Sequence, residues 1–170
     1  MQNYFELFQL PQQFTIDTAV LDTNYRKLLA EVHPDRFVNA SAAEKMHSMR
    51  TATLANEAYQ TLKQPTARAR YLLQLAGIAT DEENNTAMPA DFLMAQMEWR
   101  EAMDDARFAR NVAALDNLLQ DMRQQARQLQ QQVAAEITRA PAEAALTVRK
   151  LRFIDKVSED VNQLIAQLED

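Results

Sequence analysis

Few residues in this chain have the chemistry of a catalyst. There is no cysteine, which excludes disulfides, Cys-ligated zinc, Cys-ligated iron–sulfur clusters and thiol catalysis. The only histidines are His33 and His47, too few for a histidine-rich metal site. Ser41, Ser48 and Ser158 have no convincing base arrangement, and the carboxylate pairs fall on solvated helix faces. No Gly-rich loop is present to cradle a phosphate. The expectation is a protein that is not an enzyme and holds no cofactor or metal of its own.

Two stretches carry chemistry of another kind, suited to partners rather than to bond-making. The first is Val32-His33-Pro34-Asp35-Arg36-Phe37, which lies between two helical patterns and has a composition neither helix would select. Pro34 lacks an N–H and disfavours the α region for the residue before it, so it is expected to terminate the preceding helix. His33 and Asp35 are then held out on a tight, exposed connection. Taken alone, the stretch also reads as a helix stop with a histidine near the C-terminus, where the helix dipole favours it.

The second stretch is a helix over 90–107. At about 100° per residue, Phe92, Ala95, Trp99, Ala102, Met103 and Ala106 share one face, the expected core face. Leu93, Met94 and Met97 fall on the other side, beside Glu98, Glu101 and Asp105. A small helical module has difficulty burying both sides of a helix. Exposed Leu and Met ringed by carboxylates suit a protein-binding patch, since methionine adapts to a partner's shape. Phe153 lies at the flank of a later apolar stripe and can join this patch. Geometry alone leaves open a second use, in which this side packs on the N-terminal half.

The elements that must position these residues are helical. One Gly among 170 residues argues against hairpins and sheet edges. Pro11, Pro34, Pro65, Pro89 and Pro141 each fall at a break between periodic segments, as in an all-α protein. The aromatic segment from Asn3 to Leu10 reads as one or two turns ended by Pro11. Asp17 is placed to cap a helix striped by Leu21, Tyr25, Leu28 and Val32, with Arg26 and Lys27 facing water. Ser41 and Glu44 have capping-box spacing and open a helix with Met49, Ala52, Ala55, Tyr59 and Leu62 on one stripe, closed by Pro65. A last short helix holds Ala69, Leu72, Leu73 and Leu75 and ends at Gly77, where a residue with positive φ is wanted.

From Ile78 to Pro89 the periodicity lapses, which marks a linker over 78–89 between residues 1–77 and 90–170. Beyond it lie three helices, roughly 90–107, 111–139 and 142–168. The second is striped by Leu115, Leu118, Leu119, Met122, Leu129, Val133 and Ile137. The third is striped by Leu151, Ile154, Val161, Ile165 and Leu168, and Pro141 suits its first turn. The expected architecture is an N-terminal helical bundle followed by a C-terminal three-helix bundle.

Charge separates the halves as well. Residues 1–77 carry 8 Lys and Arg against 7 Asp and Glu, and residues 78–170 carry 10 against 17. The acidic second half argues against nucleic acid as a partner. No apolar run approaches a membrane span and the N-terminus is unlike a signal peptide, so the expectation is a soluble, cytoplasmic protein.

Residues 3–76 resemble the J-domain of DnaJ-type co-chaperones. The likeness rests on Tyr25-Arg26-Lys27-Leu28 in a striped helix, His33-Pro34-Asp35 in the loop after it, and Asn56-Glu57-Ala58-Tyr59 in the next helix. The runs Asp91 to Glu101 and Thr147 to Lys156 are similar to the HscB family, so the likeness covers nearly the full length. The glycine/phenylalanine-rich linker and cysteine-based zinc module of general-purpose DnaJ proteins are absent.

The resemblance implies docking on a DnaK-type, HscA-like chaperone and stimulation of its ATP hydrolysis through His33, Pro34 and Asp35, with Arg26, Lys27 and Arg36 as neighbouring chaperone-binding positions. A physical reading is compatible. Asp35 is a free acceptor for a bidentate arginine, and Arg26 and Lys27 suit an acidic groove, although Asp22 and Glu31 dilute that basic face. It further implies capture of an IscU-like scaffold protein of iron–sulfur cluster assembly by Leu93, Met94, Met97, Glu98, Glu101, Asp105 and Phe153. Positions 97 and 105 depart from the family's commoner Leu and Glu but conserve their character. The alternatives are a non-catalytic helical adaptor, or a J-protein for a different client.

Overall fold

A computed structural model of the chain describes residues 2–80 and 88–170. Among the described residues there are seven α-helices, one 3-10 turn and no strand, so the chain is all-α. It divides into two units, Met1–Leu72 and Leu73–Asp170, each described by itself. Of the expected linker over 78–89, residues 81–87 lie outside the described residues.

In the N-terminal unit, α1 (Tyr4–Leu7) starts at Asn3, whose side chain accepts from the Glu6 N–H at 2.9 Å. It ends at Leu7 rather than at Pro11 as the sequence suggested. The chain turns earlier, at Gln9, which adopts a left-handed φ of 55°. Phe5 and Phe8 are fully buried, and Tyr4 stacks on Tyr71 with ring centroids 4.4 Å apart.

Helix α2 (Thr18–Glu31) is capped by Asp17, as expected, through bonds from the Ala19 and Val20 N–H groups. Helix α3 (Ala42–Lys63) is capped by Ser41, which accepts from the Glu44 N–H at 3.2 Å. The two run antiparallel. The Tyr25 and Tyr59 rings stack at 4.0 Å, the Tyr59 hydroxyl donates to Asp22 at 2.6 Å, and the Tyr25 hydroxyl donates to Asn56. Closer to the loop, the buried Ser48 hydroxyl donates to the Val32 carbonyl.

That last bond explains a correction. Met49, expected on the core stripe of α3, is 67% exposed, and the inward positions are Ser48, Ala55, Ala58 and Leu62. A small polar residue faces α2 because it hydrogen-bonds a carbonyl there, and Met49 is rotated outward with Met46 and Leu54.

Pro65 is the first residue of α4 (Pro65–Leu75), a position where its missing N–H costs nothing, rather than the close of α3. Gly77 takes φ 78°, and the Ile78 and Gly77 N–H groups bond the Leu73 and Gln74 carbonyls, the expected glycine stop. Arg68 is buried, donates to the Leu62 carbonyl at 2.7 Å and lies over the Phe14 ring at 4.9 Å. Burial pushes its guanidinium below the ordinary value.

The C-terminal unit holds α5 (Ala90–Ala109), α6 (Val112–Arg139) and α7 (Pro141–Glu169). Arg110, in a left-handed conformation, ends α5, and Asn111 caps α6 by accepting from the Ala114 N–H. Pro141 occupies the first turn of α7, as expected. Residue pairs fix the directions: Glu136 with Thr147 and Met122 with Ser158 make α6 and α7 antiparallel, while Phe92 with Phe153 and Arg100 with Asp160 set α5 parallel to α7. The core joins Phe92, Trp99 and Met103 to Leu115, Leu118 and Met122 and to Ile154, Val157 and Val161. Ala102, expected to face this core, is exposed.

One polar pair is buried in the α6–α7 seam. Thr147 Oγ1 donates to the Glu136 carboxylate at 3.1 Å, and the two residues are 2% and 8% exposed. Thr147→Val keeps the shape but leaves a buried carboxylate short of a donor, and is expected to cost about 1–3 kcal/mol in urea unfolding. An unmoved midpoint would show that the pair contributes nothing. Leu151→Ala, at a fully buried site, is expected to cost about 2–5 kcal/mol. The outward Met49→Ala should stay within about 0.5 kcal/mol in the same assay, and equal losses would return Met49 to the core.

Candidate functional site

The first group of candidate residues sits where α2 meets α3. Helix α2 ends at Glu31, with Val32 as its cap, and His33, the residue before Pro34, is extended, so the helix stops just ahead of the proline as expected. Pro34 also opens a 3-10 turn over Pro34–Phe37, for which His33 is the capping residue. A proline has two uses at such a place, ending one helix and starting the next turn with its fixed φ, and here it serves both.

The His33 ring is tied down by its own turn. Nδ1 accepts from the Asp35 backbone N–H at 3.2 Å, and the Arg36 N–H reaches the His33 carbonyl at 3.0 Å. The same Nδ1 is 3.5 Å from Asp35 Oδ2, a contact that becomes an ion pair only with a proton on Nδ1. The two contacts are alternatives for one nitrogen, and the backbone bond, the shorter, leaves Nε2 as the ring's donor. The side chains of His33 and Asp35 are 59% and 89% exposed, so both present polar edges to solvent.

Pro34, Arg36, Arg26 and Lys27 are likewise exposed, Arg26 and Lys27 on α2. Of the two acids that dilute this basic face, Asp22 accepts the Tyr59 hydroxyl and is drawn toward α3. The Ser48 bond to Val32, which the hydrophobic spacing gave no means of anticipating, clamps the base of the turn onto α3.

The second group lies on α5. Phe92, Trp99, Met103 and Ala106 face the bundle, with Ala95 half-buried. On the opposite side Leu93, Met94 and Met97 are 42%, 62% and 71% exposed, and Glu98, Glu101 and Asp105 are exposed beside them. Phe153 of α7 is half-buried, edge-on to Phe92 at 6.0 Å, and borders the N-terminal end of this face while belonging in part to the core. Among the described residues, no ion pair engages Glu98, Glu101 or Asp105.

The helix also runs further than the sequence suggested, to Ala109, and this brings in a residue that pattern reading missed. Phe108 is 95% exposed. At 100° per residue it lies within about 20° of both Met97 and Glu101 in projection, on the same side of α5.

Nothing in either group is arranged for bond-making. Among the described residues, no cluster of three or more His, Cys, Asp or Glu is placed to hold a metal ion, and no helix is long and apolar enough to cross a membrane. What the two groups share is exposed, geometrically constrained side chains of mixed polar and apolar character, the chemistry of protein docking.

Comparison with known proteins places both groups in one family. Residues 3–71 match the family model of the DnaJ domain, and residues 88–162 match that of the HSCB C-terminal oligomerisation domain. The Co-chaperone protein HscB homolog of Chromobacterium violaceum is 52% identical over 171 residues, covering 99% of this chain and 97% of that protein. The homolog of Burkholderia multivorans is 48% identical over 168 residues, covering 98% and 96%. Among solved structures, Chaperone HscB from Vibrio cholerae has a TM-score of 0.85 at 36% identity, covering 98% of this chain and 99% of that one. The crystal structure of human co-chaperone protein HscB has a TM-score of 0.89 at 30% identity, covering 96% and 82%. With the J-domain turn in one unit, the apolar–acidic helix in the other and relatives that match the whole sequence, the chain belongs to the HscB family of J-domain co-chaperones.

Proposed function

We propose that this co-chaperone captures an IscU-like iron–sulfur scaffold protein on α5 and delivers it to an HscA-like chaperone of the DnaK type, whose ATP hydrolysis its J-domain stimulates. In this reading residues 1–77 are the J-domain, 90–170 the scaffold-binding domain, and the protein works in the cytoplasm during cluster assembly and transfer. The observation that carries it is the outer face of α5, where Leu93, Met94 and Met97 stay exposed among unpaired carboxylates in the folded chain. Such a face attracts a basic partner at long range and gives it apolar area at contact.

The J-domain turn supplies the second contact. Asp35 offers both carboxylate oxygens to a guanidinium on the chaperone, a bond that is both strong and directional. His33 and Pro34 hold that carboxylate in place, through the Nδ1 bond and the fixed proline φ. Arg26, Lys27 and Arg36 add positive charge toward an acidic surface. Binding scaffold at one domain and chaperone at the other links the two by mass action, so that ATP turnover follows the arrival of cargo.

Two variants separate the halves. His33→Gln is expected to abolish stimulation of the chaperone's ATPase in a steady-state phosphate-release assay while leaving scaffold affinity intact. Surviving stimulation would remove the turn from the mechanism. Leu93→Ala with Met97→Ala should do the reverse, weakening scaffold binding at least tenfold by calorimetry. Wild-type affinity in that double variant would rule out α5 as the docking face. No change in ATP turnover with the unaltered protein would leave a helical adaptor in its place.

A further inference from the structure

We infer that the docking face of α5 continues three helical turns past Met97 and ends on Phe108, which anchors the scaffold by inserting into an apolar depression bordered by cationic side chains. The inference rests on the proposed scaffold-binding role of α5 and names a contact residue and a partner chemistry within it.

Exposure is the first observation. Phe108 is 95% exposed, more than Leu93, Met94 or Met97, in the last turn of α5, which the left-handed Arg110 closes. A Phe ring of about 150–250 Å² is costly to leave in water, and a large apolar group on a soluble surface marks a contact site more often than a lone small one does. The second observation is register. Leu93, Met97, Asp104 and Phe108 fall within a 60° arc of α5, with Glu101 at its edge, at about 100° per residue. Leu93 and Phe108 lie about 22 Å apart along the axis at 1.5 Å per residue, a length that suits a partner surface of about 800 Å².

Charge supplies the third. Two arginines flank Phe108 in the last turn, one paired and one directed away from the ring. Arg107 pairs with Asp104 at 3.4 Å, and Arg110 turns away to donate to the Leu168 carbonyl at 3.4 Å. Glu101 and Asp105, within two turns of the ring, have no ion pair among the described residues. The apolar stripe is therefore bordered by anionic charge from Leu93 to Asp105, with Arg107 and Arg110 balancing its last turn, and the surface that complements it is apolar at its centre and cationic along most of its rim. An anionic lipid surface is disfavoured by those same carboxylates.

The test uses the full-length chain and purified scaffold protein, with affinity read by titration calorimetry for wild type, Phe108→Ala and Met97→Ala. Phe108→Ala is expected to weaken binding about tenfold, as loss of an aromatic anchor does. Its thermal midpoint should be unchanged, because the ring touches almost nothing in the free protein. A photo-crosslinking side chain at position 108 should attach to the scaffold. If Phe108→Ala binds as wild type while Met97→Ala is weakened, the extension to Phe108 is wrong and the docking face on α5 stands. If both bind as wild type, both fall. Wild-type scaffold affinity in Phe108→Ala together with lost binding to phosphatidylglycerol vesicles would overturn the inference in favour of a membrane contact.

Discussion

A helix in a three-helix bundle can bury only the side that faces the other two. An apolar stripe of a little over 100° fills that side, and any further apolar residue must face water or a partner. Helices α6 and α7 obey this limit, with Leu115 and Met122 of α6 sharing one core with Ile154 and Val157 of α7, and Val133, Val148 and Leu151 also fully buried. Helix α5 exceeds it. Phe92, Trp99 and Met103 already complete its core face, so Leu93, Met94 and Met97 have no interior to enter. The surplus sits on the same helix that carries the exposed Glu98, Glu101 and Asp105, so its apolar side chains stand among carboxylates.

The N-terminal unit solves a different problem, holding a short polar turn still while keeping it out of the core. Apolar packing cannot do this, because no side chain of Pro34–Phe37 is fully buried. Hydrogen bonds do it instead. Ser48 fixes the end of α2 to α3, His33 accepts from the backbone two residues on, and the stacked Tyr25 and Tyr59 hold the helices in register. Each tie is local or bridges one helix pair, so the turn is rigid at modest cost in buried polar groups.

Much of this is legible in the sequence where the cause is local. Asp17, Ser41, Gly77 and Pro141 sit at helix ends because caps and stops act within a few residues, and reading them needs no tertiary knowledge. The outer face of α5 was equally readable, since helical geometry alone separates Met97 from Trp99. The misses have tertiary or conformational causes. Hydrophobicity alone points Met49 inward, but Ser48, bonded to Val32, holds the inward position together with Ala55, Ala58 and Leu62. Pro34 ends one helix and also opens a 3-10 turn, and the second use leaves no mark in the sequence pattern. Phe108 was overlooked because arginine gives little hint that it will take a left-handed cap at position 110 and let α5 run to Ala109. The Thr147–Glu136 pair joins two helices and leaves no periodic trace.

The connection between α6 and α7 is a single residue, Ala140, between Arg139 and Pro141. Closing so short a loop forfeits little chain entropy, and the contacts of the hairpin near it are close in sequence. The long seam between α6 and α7 is also far richer than the contact either makes with α5. The hairpin therefore carries most of the interhelix packing of the unit, and α5 adds to it with fewer contacts. A helix held by fewer contacts has more freedom to adjust its tilt, while the hairpin behind it keeps its shape.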